Sequence, residues 1–165
     1  MIRLAKLTDY AIVIATQMAA SPPGQQITAR ALAGQVGLAL PTVSKILKTL
    51  ARGGLLEAQR GKGGGYRLKR LPADISVAEI IEGMEGPLAL TDCASDESTC
   101  CSIRETCSVK GNWQKINHVV HDALRQLSLE SMMQPLREPP HIHKNTGAKS
   151  GEEDTLVTIG RQIHG

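Results

Sequence analysis

The stretch Thr28 to Leu68, TARALAGQVGLALPTVSKILKTLARGGLLEAQRGKGGGYRL, decides the fold of this chain. Thr28 suits the N-cap of a short helix through Val36, and Gly37 then breaks it. Pro41 supplies a good first position for a second helix running to about Arg52. Leu32, Ala33, Val36, Gly37, Leu38, Val43 and Ile46 fall where a helix-turn-helix needs them. Ala33 is small enough for the helices to approach, Gly37 permits the tight turn, and the aliphatic side chains seal the pair. Gly53 and Gly54 end the second helix. Leu55 to Arg60 and Gly61 to Leu68 then read as two strands of a hairpin with a glycine tip, the wing of a winged helix.

What this arrangement leaves on the surface is polar and basic. Thr42, Ser44, Lys45 and Lys48, with Pro41 at the start of their helix, offer hydrogen-bonding groups and charge to base edges and phosphates. Arg60, Lys62 and Arg67 surround a wing with few side chains, which suits a minor groove or a phosphate clamp. A nucleotide-binding loop is excluded: no Gly-Lys-Ser/Thr follows the glycines, and Tyr66 to Arg70 looks like a strand, not the start of a helix.

The charge is divided along the chain. Met1 to Arg70 carries 11 Lys/Arg against 2 Asp/Glu, whereas Leu71 to Gln134 carries 4 against 10, so the net +3 of the whole chain conceals a basic part and an acidic one. Only the first is built for a polyanion. Phenylalanine is absent, so the core must come from Leu, Ile, Val, Ala and Met, which favours helices.

Upstream, Leu4, Leu7, Ala11, Ile14 and Met18 recur at helical spacing and predict an amphipathic helix from Arg3 to Ala20. Asp9 lies nearly opposite this stripe, as a surface carboxylate would. No long apolar run occurs, and Arg3, Lys6 and Asp9 interrupt the first residues, so a cytoplasmic location is expected.

Downstream, Ser76 caps a predicted helix over Val77 to Glu85. Trp113, Ile116, Val120, Ala123/Leu124 and Leu127 then repeat with three- and four-residue steps, predicting one helix over Asn112 to Met133. Such a helix, about 33 Å long, exceeds what a small core needs and suits pairing with the same helix of a second chain. The fold class is therefore mainly α with a small β wing, divided into a winged helix-turn-helix (1–70), a segment holding the cysteine loop and dimerisation helix (71–134), and a tail (135–165). The tail has no periodicity and reads as disordered; its His141 and His143 carry no specific assignment.

All four cysteines, Cys93, Cys100, Cys101 and Cys107, lie between the two downstream helices. In a reducing compartment clustered thiols read as metal or redox ligands before structural disulfides. Seven residues separate Cys93 from Cys101 and five separate Cys101 from Cys107, wider than most zinc knuckles, and no intervening histidine completes a zinc set. An iron-sulfur cluster is thus preferred over zinc. Neither a CxxC motif nor a nucleotide loop supports a redox enzyme.

The opening Leu4 to Ala11 (LAKLTDYA), the wing Arg60 to Tyr66 (RGKGGGY) and the Cys101-x5-Cys107 loop followed by Trp113 together resemble the iron-sulfur-cluster winged-helix transcriptional regulators of the IscR/NsrR type. The likeness spans about Met1 to Gln134 and is nearest to regulators of SUF cluster-assembly genes. It implies a homodimer on a double-stranded operator, acting as a repressor that senses iron-sulfur or redox status. It also implies a 2Fe-2S or 4Fe-4S cluster held by Cys93, Cys101 and Cys107, with Cys100 as the alternative to Cys101. The IscR-like histidine three residues beyond the last cysteine is Lys110 here. The NsrR-like ligand is an aspartate of the first helix from the partner subunit, and Asp9 matches it. Two alternatives stand beside this expectation. One is a regulator sensing nitric oxide or redox state at other genes; the other is a DNA-binding protein with a zinc-bound or cofactor-free cysteine loop.

Overall fold

The computed structural model describes residues 3–61, 63–91 and 106–134. In chain order they form α1 (Lys6–Ala19), α2 (Ala29–Val36), α3 (Leu40–Arg52), β1 (Leu56–Gln59), β2 (Gly65–Leu68), α4 (Val77–Glu85), α5 (Lys110–Gln126) and α6 (Leu129–Met132). The fold is mainly helical with one two-stranded antiparallel sheet, as the patterning predicts. Lys62, Cys93, Cys100, Cys101, His141, His143 and the whole tail lie outside the described residues.

α1 packs against α2, α3, α4, α6 and β2. It buries Ala11, Ile14, Ala15 and Met18 in a core completed by Leu32, Val43, Ile46, Leu47, Leu50, Ile75 and Ile80. The helix begins at Lys6, not at the expected Arg3, because Ala5 takes extended dihedrals and leaves Leu4 exposed. No side chain of Ala5 can cap the turn. The Glu85 carboxylate at the end of α4 does so instead, accepting from the Ala5 N–H (3.0 Å) and from the hydroxyl of the buried Thr8. A negative group at a helix N-terminus is favourable for the helix dipole.

The helix-turn-helix forms as predicted. Thr28 accepts from the Ala31 N–H (3.1 Å), and Gly37 closes α2 with φ 68°, a backbone conformation that glycine adopts without strain. In the wing, Leu56, Glu57, Ala58 and Gln59 pair with Leu68, Arg67, Tyr66 and Gly65. One glycine has a packing reason that the sequence does not display. Ile27 and Tyr66 exchange two backbone hydrogen bonds of 2.9 Å, and a Cβ at Gly65 would stand 2.7 Å from the Ile27 carbonyl oxygen. The glycine run therefore lets a third segment lie against the hairpin as well as leaving the wing bare.

α4 carries a full capping box: Ser76 Oγ accepts from the Glu79 N–H (3.2 Å), and the Glu79 carboxylate accepts from the Ser76 N–H (2.8 Å). The other Glu79 oxygen accepts from Arg70, which also donates to the Asp74 carbonyl, tying the root of the wing to α4. Partial burial pushes the Glu79 carboxyl up, but the Ser76 hydrogen bonds and the Arg70 guanidinium outweigh it and hold it below its usual range. Because the folded value is depressed, the stabilisation is present above the unfolded glutamate value of about 4.3 and is lost as pH falls through the folded value. Thermal melts followed into the acid range should therefore show Glu79→Gln with a shallower acid-side loss than the parent. An unchanged slope would show that the pair contributes nothing to acid sensitivity.

The single long helix expected over Asn112 to Met133 does not form. α5 stops at Gln126, Leu127 turns extended, and α6 begins at Leu129. At that point the chain pairs with the segment before α4: the Val77 N–H donates to the Leu127 carbonyl (2.8 Å), and the Leu129 N–H donates to the Ile75 carbonyl (2.7 Å). The first amide of α4, which would otherwise lack a partner, is thereby satisfied. Ser128 caps the new helix by accepting from the Ser131 N–H (3.1 Å). The break carries Leu129 into the core at 0% exposure and leaves Leu127 outside at 42%. α5 itself is 17 residues, about 25 Å, and none of them is fully buried.

Candidate nucleic-acid interface and cysteine segment

α3 buries Val43, Ile46, Leu47 and Leu50, so the residues between them face outward. Pro41, Lys45 and Lys48 are exposed, while Thr42 and Ser44 are half-buried at the rim. Beside the end of this helix a cleft of about 620 Å³ opens toward the wing, lined by Lys48, Ala51, Arg52, Ala58, Gln59, Arg60, Gly65 and Tyr66. Three of those side chains are cationic and none is acidic. With so many positive groups around an open slot, the favoured occupant is a polyanion backbone, and Tyr66 adds a flat wall and a hydroxyl.

The structure brings Lys48 and Arg60 of the expected set together in this cleft, but not Arg67. Glu57 and Arg67 face each other across the hairpin, one residue along from the Ala58 and Tyr66 pair that lines the cleft. Alternation along a strand puts them on the other face. There Arg67 donates through Nε (3.0 Å) and Nη2 (2.8 Å) to one Glu57 oxygen, so its charge is already engaged. Arg52 lines the cleft beside Lys48 and Arg60. The sequence contained a signal for it, since Arg52 follows Lys48 by one helical turn, but the glycines after it made it look like a helix end only.

On the acidic side, Cys107 is the one cysteine among the described residues; its thiol is free and half-buried, three residues before α5 begins. Lys110 opens that helix. Asp9 is exposed on α1, as the periodicity predicts, and no hydrogen bond or ion pair to its carboxylate occurs among the described residues. It follows Thr8, whose hydroxyl is held by Glu85, so the turn that presents Asp9 is fixed to the end of α4. Among the described residues no three His, Cys, Asp or Glu side chains converge as a metal site within one chain. A soft thiol and an unengaged carboxylate are nevertheless donor types that an iron-sulfur cluster accepts.

Val109, Trp113, Ile116 and Val119 are exposed along α5, with Leu127, Met132 and Met133 beyond it. On the same stripe Val120 and Leu124 are half-buried, and α5 packs against α4. No helix among the described residues is long and apolar enough to cross a membrane.

A helix-turn-helix flanked by a hairpin wing, with a basic cleft between them, defines a winged-helix DNA-binding regulator. Residues 4–135 match the family Rrf2, described as an iron-dependent transcriptional regulator, and the chain belongs to that family. It is 27% identical over 122 residues to the HTH-type transcriptional regulator NsrR of Shouchella clausii, which covers 74% of this chain and 77% of that protein. Among solved structures, CymR (YrzC), the global cysteine regulator of B. subtilis, matches with a TM-score of 0.62 at 23% identity, over 81% of this chain and 97% of that one. T. potens IscR matches with a TM-score of 0.58 at 23% identity, over 80% and 86% of the two chains. The IscR/NsrR-type resemblance thus holds at the level of the family, whose members are transcription regulators.

Proposed function

We propose that this chain is a homodimeric repressor of iron-sulfur cluster assembly genes, of the SUF type, that reads iron-sulfur or redox status through a bound cluster. The observation that carries the reading is the free, half-buried Cys107 thiol at the foot of α5, in a family described as iron-dependent. Cys93, Cys101 and Cys107 would hold the cluster, Cys100 standing as the alternative to Cys101, and the partner subunit's Asp9 would supply the fourth ligand. The exposed carboxylate of Asp9, which has no hydrogen bond or ion pair among the described residues, supports that assignment, as does Lys110 in place of a histidine. When bound, the cluster supplies a redox- and iron-sensitive centre.

The chain's own residues account for the rest. The exposed Trp113, Ile116 and Val119 face supports pairing of α5 with a second copy. Glu85 fixes the first turn of α1 from the end of α4, so a ligand at Asp9 would be sensed through α4 as well. Operator half-sites have fixed spacing, so a small change in the relation of the two α3 helices costs affinity. A carboxylate is a hard, exchangeable ligand for iron compared with thiolate, which makes Asp9 the weak point of the set.

Anaerobic purification tests the reading. The parent should be brown, with broad visible absorption and iron and sulfide in matching amounts. Cys107→Ser should be colourless with an unchanged melting temperature, and Asp9→Ala should take up iron but lose colour several-fold faster in air. A colourless parent containing zinc, or no metal, would defeat the sensor reading in favour of a cofactor-free or zinc-bound regulator.

A further inference from the structure

A second cavity, of about 590 Å³, opens on the face of the hairpin turned away from the basic cleft. Cavities of roughly 300–1,000 Å³ are of the size that holds small molecules. One wall is the Glu57–Arg67 pair of the wing; the others are the loop after α1 and the single turn Pro72–Asp74 that follows β2. Ala19, Pro22, Pro23, Leu71 and Pro72 make part of the lining apolar, and Leu71 stands 60% exposed. Three of these are prolines, whose φ is fixed, so the wall is rigid before anything binds. The Arg70 side chain adds to that rigidity by donating to the Asp74 carbonyl (2.8 Å) and to the Glu79 carboxylate of α4.

Five charged residues line the cavity, and three of them are spent within the chain. Arg67 and Glu57 hold each other, and Arg70 is engaged by Asp74 and Glu79 as above. The Lys69 ammonium and the Asp74 carboxylate have no ion pair or side-chain hydrogen bond among the described residues, and they do not meet each other. A cavity with an apolar wall and two unlike, unmatched charges is complementary to a molecule that carries both charges and an apolar body. We infer that this cavity binds a small zwitterion of the amino-acid or dipeptide class, its carboxylate toward Lys69 and its ammonium toward Asp74. The prolines and Leu71 cover its aliphatic side chain. A simple anion would satisfy Lys69 but meet Asp74 and Glu57, and a simple cation would meet Lys69 and two guanidinium groups. The same carboxylates disfavour a nucleic-acid backbone, whereas the basic cleft has none. No described cysteine lines the cavity, so the inference stands apart from the proposed cluster.

The test is a nuclear magnetic resonance titration of full-length, isotope-labelled protein at low salt with the dipeptide leucyl-leucine and with free leucine. At least one of the two should shift the Leu68, Lys69 and Leu71 amides saturably, with a millimolar dissociation constant, because both charged partners are exposed and screened by water. Lys69→Gln and Asp74→Asn should each weaken that binding by about threefold, and together by about tenfold, while the melting temperature shows that the fold is kept. N-acetyl-leucyl-leucine amide, which keeps the apolar body and neither charge, should likewise bind about tenfold more weakly than the dipeptide. Absence of saturable shifts with both probes overturns the proposal, as does binding that the double variant leaves unchanged. Equal binding of inorganic phosphate, sensitive to Lys69→Gln and indifferent to Asp74→Asn, makes the cavity a plain anion site and overturns it as well.

Discussion

Replacing Lys48, Arg52 and Arg60 together by alanine is expected to weaken binding to a promoter fragment that the parent protein shifts by about 10³-fold at low salt. The three cations line one cleft per chain, so the proposed dimer would present six of them to the DNA backbone. Six neutralised phosphates correspond to a slope of about −5 in a plot of log affinity against log salt. The variant should therefore lose most of its salt dependence along with its affinity. All three residues have exposed side chains and support no core contact, so the melting temperature should scarcely move. The single Arg67→Ala change supplies the contrast: that guanidinium is engaged by Glu57 on the other face of the hairpin and should alter affinity by no more than about threefold. If Arg67→Ala proved as damaging as the triple change, the face of the wing assigned to DNA would be the wrong one.

The second large effect is on stability. Leu129→Ala removes a side chain that is 0% exposed and leaves a cavity where α6 meets α1, a loss of about 2–5 kcal/mol. For a unit of this size that lowers the melting temperature by roughly 8–20 °C. Leu127→Ala, two residues earlier, truncates a side chain that is 42% exposed and should cost less than about 1 kcal/mol unless a second copy covers it. The comparison tests the interruption of the helix directly. An uninterrupted helix would have Leu127 continue the stripe begun by Trp113 and Ile116, and the order of the two effects would reverse. A Leu127 effect that grows with protein concentration would itself report dimerisation through this face.

Much of the architecture was legible because it rests on local rules. Thr28, Gly37, Pro41 and Ser76 mark helix ends through caps and dihedral preferences that act within a few residues, and the structure places those boundaries within one residue of expectation. The hairpin likewise follows from two short strands around a glycine tip. The basic surface was legible as charge, since 11 of the 19 Lys/Arg fall before Leu71. Which of those charges share a cleft was not. That depends on which face of a two-residue alternation a strand turns toward α3, and a single step separates Arg67 with Glu57 from Tyr66 with Ala58.

The chain by itself therefore determined the winged helix, the division into a basic and an acidic part, and the thiols and carboxylate available to a cofactor, because each depends on residue type and near spacing. Tertiary structure alone decided that α5 breaks at Leu127, that Glu85 caps α1 and that Asn117 of α5 bonds to the backbone of Leu88 and Leu90. Each of these joins groups 27 to 80 residues apart, or answers a backbone amide whose partner lies in another element. No local pattern encodes such pairings. They arise because a buried or half-buried polar group must find a partner once the core has formed, and only the packed fold determines which partner is within reach.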